Sequence, residues 1–241
     1  VRDGVRLQKL LGPPPADPAG VPDRLRWTAD LDEVADCGFV VECGPERVAV
    51  KEELFAALDR LCGPEAVLAS CTSAIPVDVL AAVTARPDRV LATHFMNPAP
   101  LKEAVEVVRG PKTSDATMAR TADVLSSLGK KPIVVSDAPG FVTNRVLMLA
   151  INEAVKVVAE GTAPAATVDE VFVSCFAHQM GPLRTADLIG LDTVRDTLLV
   201  LRDLLADPAF TPSPLLTELV ASGRLGRKSG EGFHVWRRSA R

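Results

Sequence analysis

The run PIVVSDAPGFVTNR, Pro132 to Arg145, joins a short apolar stretch to a proline-glycine turn and then to the opening of a long amphipathic segment. On its N-terminal side the chain alternates between short apolar runs and longer helical patterns. GFVVEC (38–43) has no helical period, as expected of a strand buried on both faces. A helix follows over 46–61, with Val50, Leu54, Ala57 and Leu61 on one face. AVLAS (66–70), 89–94, 104–109 and PIVVSD read as further strands, with a short helix over 75–82 between the first two. Ser114 caps a helix that reaches about Leu128. VRDGVRLQKLL (1–11) is helical, and the proline-rich GPPPADPAGVP ends it. Strands alternating with helices predict an α/β fold with a largely parallel sheet covered on both sides.

Beyond Asp137 the pattern is helical only, over 144–160, 167–176, 183–205 and 214–222. The change of rhythm places a domain boundary near Pro139, giving an α/β domain over 1–138 and a helical domain over 139–241.

Composition narrows the partners. The 241 residues are 47% hydrophobic, enough for a large core, and carry a formal charge of −4. No basic patch suits nucleic acid. Arg237 and Arg238 read as solvated surface. No apolar run is long enough to span a membrane and no signal peptide opens the chain. Cys37, Cys43, Cys62, Cys71 and Cys175 show no metal spacing and are odd in number. They read as reduced, small apolar residues of a cytoplasmic protein, and no metal site is expected.

Within this frame lie four polar groups suited to oxidising an alcohol. His94 and Glu106 stand twelve positions apart in LATHFMNPAPLKEAVEVVRG (91–110), Ser73 precedes them in a turn, and Asn144 follows in PGFVTNR. An alcohol loses hydride only as its hydroxyl loses a proton, so a neutral imidazole near that oxygen is a suitable acceptor. A carboxylate on the other ring nitrogen fixes the tautomer and favours the imidazolium that forms. Ser73 and Asn144, each read at the start of a helix, can donate to the substrate hydroxyl. His178 and His234 read as structural, and Arg184 as a surface salt bridge.

The ordered motifs VVECGPERVAVKEELF, SCTSAIP, HFMNP, VEVVRG, DAPGFVTNR, MGPLRTADLIGLDT and GRLGRKSGEGF, between about Leu31 and Trp236, resemble the 3-hydroxyacyl-CoA dehydrogenase family. The resemblance implies a Rossmann-like NAD-binding domain followed by a helical domain that builds a homodimer. It implies that His94 is the catalytic base, Glu106 its carboxylate partner, and Ser73 and Asn144 polar groups around the substrate oxygen. Glu46, Lys51, Ser73 and Asn97 then fall beside the nicotinamide of NAD. The substrate is a 3-hydroxyacyl-CoA by first reading. A glyceryl group on an acyl carrier protein, as in polyketide extender-unit synthesis, is the alternative, and a noncatalytic dimeric scaffold is a third reading.

The sequence departs from the family pattern in two places close to these motifs. Cys71 stands where asparagine is usual, and Cys43-Gly44 where small or branched apolar residues are usual. The glycine-rich GxGxxG turn and its flanking strands are not found before Leu11, and GRLGRKSGEG lies outside a strand-turn-helix context. The expectation is a chain that is part of a longer protein, its Rossmann-like domain incomplete at the N-terminus. As given, it would bind NAD weakly, because the helix N-terminus that holds the pyrophosphate is missing.

Overall fold

The computed structural model describes residues 24–96 and 98–236. The proposed helix over 1–11, the proline-rich loop, Asn97 and the Arg237-Arg238 pair lie outside the described residues. The chain divides into two compact units, Val1–Phe141 and Val142–Arg241.

In the first unit, strands β1 (Phe39–Glu42), β2 (Val67–Ser70), β3 (Val90–Phe95), β4 (Ala104–Arg109) and β5 (Lys131–Ser136) form one sheet in chain order. Helices α1 (Val48–Leu61), α2 (Val77–Ala81) and α3 (Asp115–Ser127) connect them. The β1–β2, β2–β3 and β4–β5 pairs are parallel, whereas β3 and β4 are antiparallel. The period-2 pleat sorts the apolar side chains onto two faces. Leu68, Val90, Ala92 and Val108 pack with Phe55, Leu58 and Leu80 of α1 and α2, while Val67, Leu91, Val105 and Val107 pack with Leu125 of α3. Each face is therefore closed by its own helices, as expected of an α/β sheet.

Two expectations for this unit are corrected. GFVVEC is not buried on both faces: among the described residues β1 pairs only with β2, and Val41 is exposed. Ser73 does not start a helix. The helix after it begins four residues later, at Val77, where Asp137 from the far end of the unit accepts from Val77 N and Asp78 N, both at 3.0 Å. That carboxylate takes the amides a local cap would otherwise hold.

The second unit holds α4 (Thr143–Ala159), α5 (Ala165–Phe176), α6 (Pro182–Ile189), α7 (Leu191–Leu205) and α8 (Pro214–Ala221). Its core is built from Met148, Ile151 and Val155 of α4 with Leu183, Leu191, Leu198, Leu201, Phe210 and Leu216. The single helix expected over 183–205 is two helices. Gly190 separates them with φ +104°, a conformation only glycine adopts readily, and the carbonyl ladder restarts at Leu191. The buried Asp187 gathers the chain end, accepting from Phe233 N, His234 N and Trp236 Nε1 at 2.9 Å each. A Cβ on Gly232 would lie 2.0 Å from that carboxylate, so this approach requires glycine.

His234 and His178 have the structural places expected of them. His234 Nε2 meets Asp169 at 2.6 Å, and His178 packs against Phe172 and Phe176. Arg184, expected to form a surface salt bridge, has no ion pair among the described residues. Its guanidinium lies over the Trp236 ring, 4.8 Å from the centroid, where a π-face takes the place of a carboxylate.

Candidate active site

β3 and β4 run antiparallel because only Met96 to Glu103 join them, too short a link for a parallel crossover. The register sets His94 opposite Glu106. Alternation along both strands turns the two side chains to the face that carries Ala92 and Val108. His94 Nδ1 and Glu106 Oε2 are 2.9 Å apart, and each residue is only 6% exposed. As a carboxylate Glu106 can only accept, so Nδ1 carries the proton and Nε2 keeps its lone pair. Ser73 Oγ lies 3.2 Å from Nε2 and donates to it. The three side chains form a continuous hydrogen-bonded series from Ser73 through His94 to Glu106.

Ser73 is held there by Glu46, which the resemblance set beside the same end of the cofactor. Glu46 Oε1 accepts from Thr72 Oγ1 at 2.6 Å and from the amides of Ser73 and Ala74 at 2.9 Å. Glu46 thus shapes the turn that positions the serine. Lys51 is buried to 1% exposure, with its ammonium 2.9 Å from both oxygens of Glu42 and 3.2 Å from Gly44 O. Glu42 also accepts from Ser70 Oγ at 2.8 Å and from Gly44 N. A Cβ on Gly44 would stand 2.9 Å from a Glu42 carboxylate oxygen, so a side chain here would have to displace that carboxylate. Glu42 was not singled out in the sequence; its signal is an acidic residue closing an apolar strand.

Phe141 is a second residue the sequence reading missed. Gly140 (φ +73°) and Phe141 (φ +51°) form a left-handed turn, Gly140 N donates to Ala74 O at 3.2 Å, and Phe141 is buried. Its ring meets His94 edge-on with centroids 5.9 Å apart. A positive φ costs a phenylalanine on the order of 1 kcal/mol or more, sustained here by burial of the ring. Asn144 is the second residue of α4, in the other unit, and is buried; it is not the cap of that helix. Asn97 lies outside the described residues.

Glu42, Ser70 and His94 stand at or beside the carboxyl ends of three successive parallel strands, where ligands of open α/β sheets bind. The half-buried Cys71 and Ser73 follow directly. This edge fits the nicotinamide end of a dinucleotide. Among the described residues no strand-turn-helix carries a GxGxxG cradle for the pyrophosphate. No cluster of metal-ligating side chains occurs among the described residues either.

Comparison with known proteins agrees with this geometry. Residues 13–138 match the family model for the 3-hydroxyacyl-CoA dehydrogenase NAD binding domain, and residues 140–236 match that for the 3-hydroxyacyl-CoA dehydrogenase C-terminal domain. A probable 3-hydroxybutyryl-CoA dehydrogenase of Deinococcus radiodurans is 46% identical over 91% of this chain and 79% of its own length. The corresponding Bacillus subtilis protein is 45% identical over 88% and 74%. The crystal structure of (S)-3-hydroxybutyryl-CoA dehydrogenase from Ralstonia eutropha superposes with a TM-score of 0.88 at 40% identity, covering 97% of this chain and 82% of that one. The chain belongs to the 3-hydroxyacyl-CoA dehydrogenase family.

Proposed function

We propose that this protein interconverts a 3-hydroxyacyl-CoA and its 3-oxoacyl-CoA with NAD, and that the Ser73, His94, Glu106 relay moves the proton. The observation that carries the reading is the His94 Nδ1 to Glu106 contact, which leaves Nε2 as an acceptor beside Ser73. Bound NAD supplies the acceptor for the hydride. Nε2 takes the hydroxyl proton as the carbinol is oxidised, and Glu106 neutralises the resulting imidazolium. Ser73, released from Nε2 when substrate arrives, donates toward the substrate oxygen. In reduction the imidazolium returns the proton to the developing alkoxide. Asn144 is the further polar group for the substrate oxygen. Glu46 and Lys51 act on the nicotinamide end by fixing the loop after β1 and the turn after β2.

The acyl carrier is assigned as coenzyme A from the names of the relatives. The assay is nicotinamide oxidation with acetoacetyl-CoA against the same acyl group on a carrier protein. A kcat/KM at least tenfold higher for the CoA thioester is expected, and the reverse order would move the protein to carrier-bound substrates. The protein works as a homodimer in this reading. Val142, Val146, Val171, Val173 and Phe176 are exposed on or beside α4 and α5 of the helical unit, apolar surface that a second copy would cover. Light scattering giving twice the chain mass is the expected result. No helix among the described residues is long and apolar enough to cross a membrane.

A further inference from the structure

The parallel ladder of β1 and β2 ends with Glu42 opposite Ser70, so Cys43 and Cys71 are the next residues on the two strands. Their backbones are fixed at this exit. Cys71 N donates to Glu42 O at 2.7 Å, and Ser70 Oγ donates to the Glu42 carboxylate that also holds Lys51 and Gly44 N. Neighbouring strands lie about 4.8 Å apart, inside the roughly 4.4–6.8 Å range of Cα separations that a disulfide spans. Cys43 is exposed, its Sγ 3.9 Å from Val41 O, and Cys71 is half-buried. The two places where the sequence departs from its family pattern are therefore neighbours across one strand pair.

We propose that Cys43 and Cys71 form an oxidisable dithiol, a modification site for hydroperoxides in which Cys71 attacks and Cys43 resolves. The Cys71 thiolate attacks one peroxide oxygen, the O–O bond breaks, and the departing hydroxide or alkoxide takes a proton. Cys43 sulfur then attacks the sulfenic sulfur of Cys71, the S–O bond breaks, and the hydroxide leaves with the Cys43 proton as water. With hydrogen peroxide, two thiols and one peroxide give one disulfide and two waters: the sulfurs lose two electrons and the peroxide oxygens gain them.

The electrostatics support this order of attack. The neighbouring Cys43 thiol lowers the Cys71 thiol most; burial opposes it, and a backbone bond from Phe95 and the charge of Lys51 add to the lowering, leaving Cys71 at about 6. The nearby Cys71, with burial and Glu42, pushes Cys43 up. The finished bridge would tie the loop leading to Glu46 to the turn that carries Ser73. Of the other free cysteines, Cys37 and Cys175 are exposed and Cys62 is buried.

The test is one equivalent of hydrogen peroxide on the reduced protein, followed by alkylation and a non-reducing peptide map. The expected products are a Cys43–Cys71 linked peptide and an intact mass lower by two hydrogens, both reversed by dithiothreitol. In Cys43→Ser, which removes the resolving thiol, oxidation stops at a Cys71 sulfenic acid that dimedone traps. Independently, Cys71 is expected to alkylate at pH 6 on the order of tenfold faster than free cysteine, because its gain in thiolate outweighs its lower nucleophilicity. Oxidation confined to Cys37 or Cys175, or a Cys71 that alkylates no faster than free cysteine, would overturn the proposal.

Discussion

His94 and Glu106 are register partners across the antiparallel β3–β4 pair, with Nδ1 and Oε2 2.9 Å apart. The contact depends on the direction of β4. Directly opposed antiparallel residues bring their Cβ atoms to about 4.5–5.5 Å, close enough for an imidazole and a carboxylate to share a proton. A slip of one residue would turn Glu106 to the other face of the sheet. The register of this one pair is thus what orients the imidazole of a strand histidine.

Glu106→Gln keeps the shape and an acceptor for Nδ1 but removes the charge that balances imidazolium. The expected result is a kcat lower by on the order of a hundred- to ten-thousandfold with KM changed little, measured by steady-state kinetics in both directions. An equal loss expressed only in KM would assign Glu106 to substrate binding.

The buried Lys51–Glu42 pair is a matter of folding as well as of site geometry. Lys51→Met leaves Glu42 uncompensated at 4% side-chain exposure and should cost about 3–5 kcal/mol in urea denaturation. The double variant Lys51→Met/Glu42→Leu should recover a large part of that loss. If the double variant is as unstable as the sum of the singles, the pair is not coupled as described.

Asp137 tests the trans cap of α2. Burial pushes its carboxyl up, against the lowering by the Val77 and Asp78 amides. A raised folded pKa means that the folded state binds the proton first, so this group's contribution to stability grows as pH falls through the raised value and levels off below about 3.9, the unfolded one. Asp137→Asn removes that dependence. Melting temperatures across mildly acid pH should show the parent gaining on the variant as pH falls, and a constant difference would contradict the assignment.

Asp187 holds three donors of the chain end in the helical unit. Asp187→Ala strands Phe233 N, His234 N and Trp236 Nε1, with an expected loss of about 2–4 kcal/mol and a red-shifted tryptophan emission. Unchanged emission and stability would show that water replaces the carboxylate.

Much of this was legible in the residues. The strand and helix series up to Ser136 follows from apolar runs and from Ser114 as a cap, whose hydroxyl accepts from Thr117 N at 3.2 Å. His94, Glu106 and Ser73 meet as their chemistry suggested. Other features were legible but unread: the short link between β3 and β4 dictates an antiparallel pair, and Gly190 marks a break inside a helical pattern. The pairing of Glu42 with Lys51, of Asp137 with α2 and of Asp187 with the chain end could not be read at all. Each joins residues through the fold, and no local spacing encodes a carboxylate that caps a helix 59 or 60 positions away. Cys43 and Cys71 belong between these cases, since their pairing follows only once the β1–β2 register is known.

The most direct test of the account is the kinetics of His94→Gln with acetoacetyl-CoA and reduced nicotinamide, beside a stability measurement to show that the variant is folded. The account predicts kcat lower by on the order of a hundred- to ten-thousandfold at nearly unchanged KM. A folded variant with kcat within about threefold of the parent would show that the proton travels by another route, and the relay of Ser73, His94 and Glu106 would not be the catalytic centre.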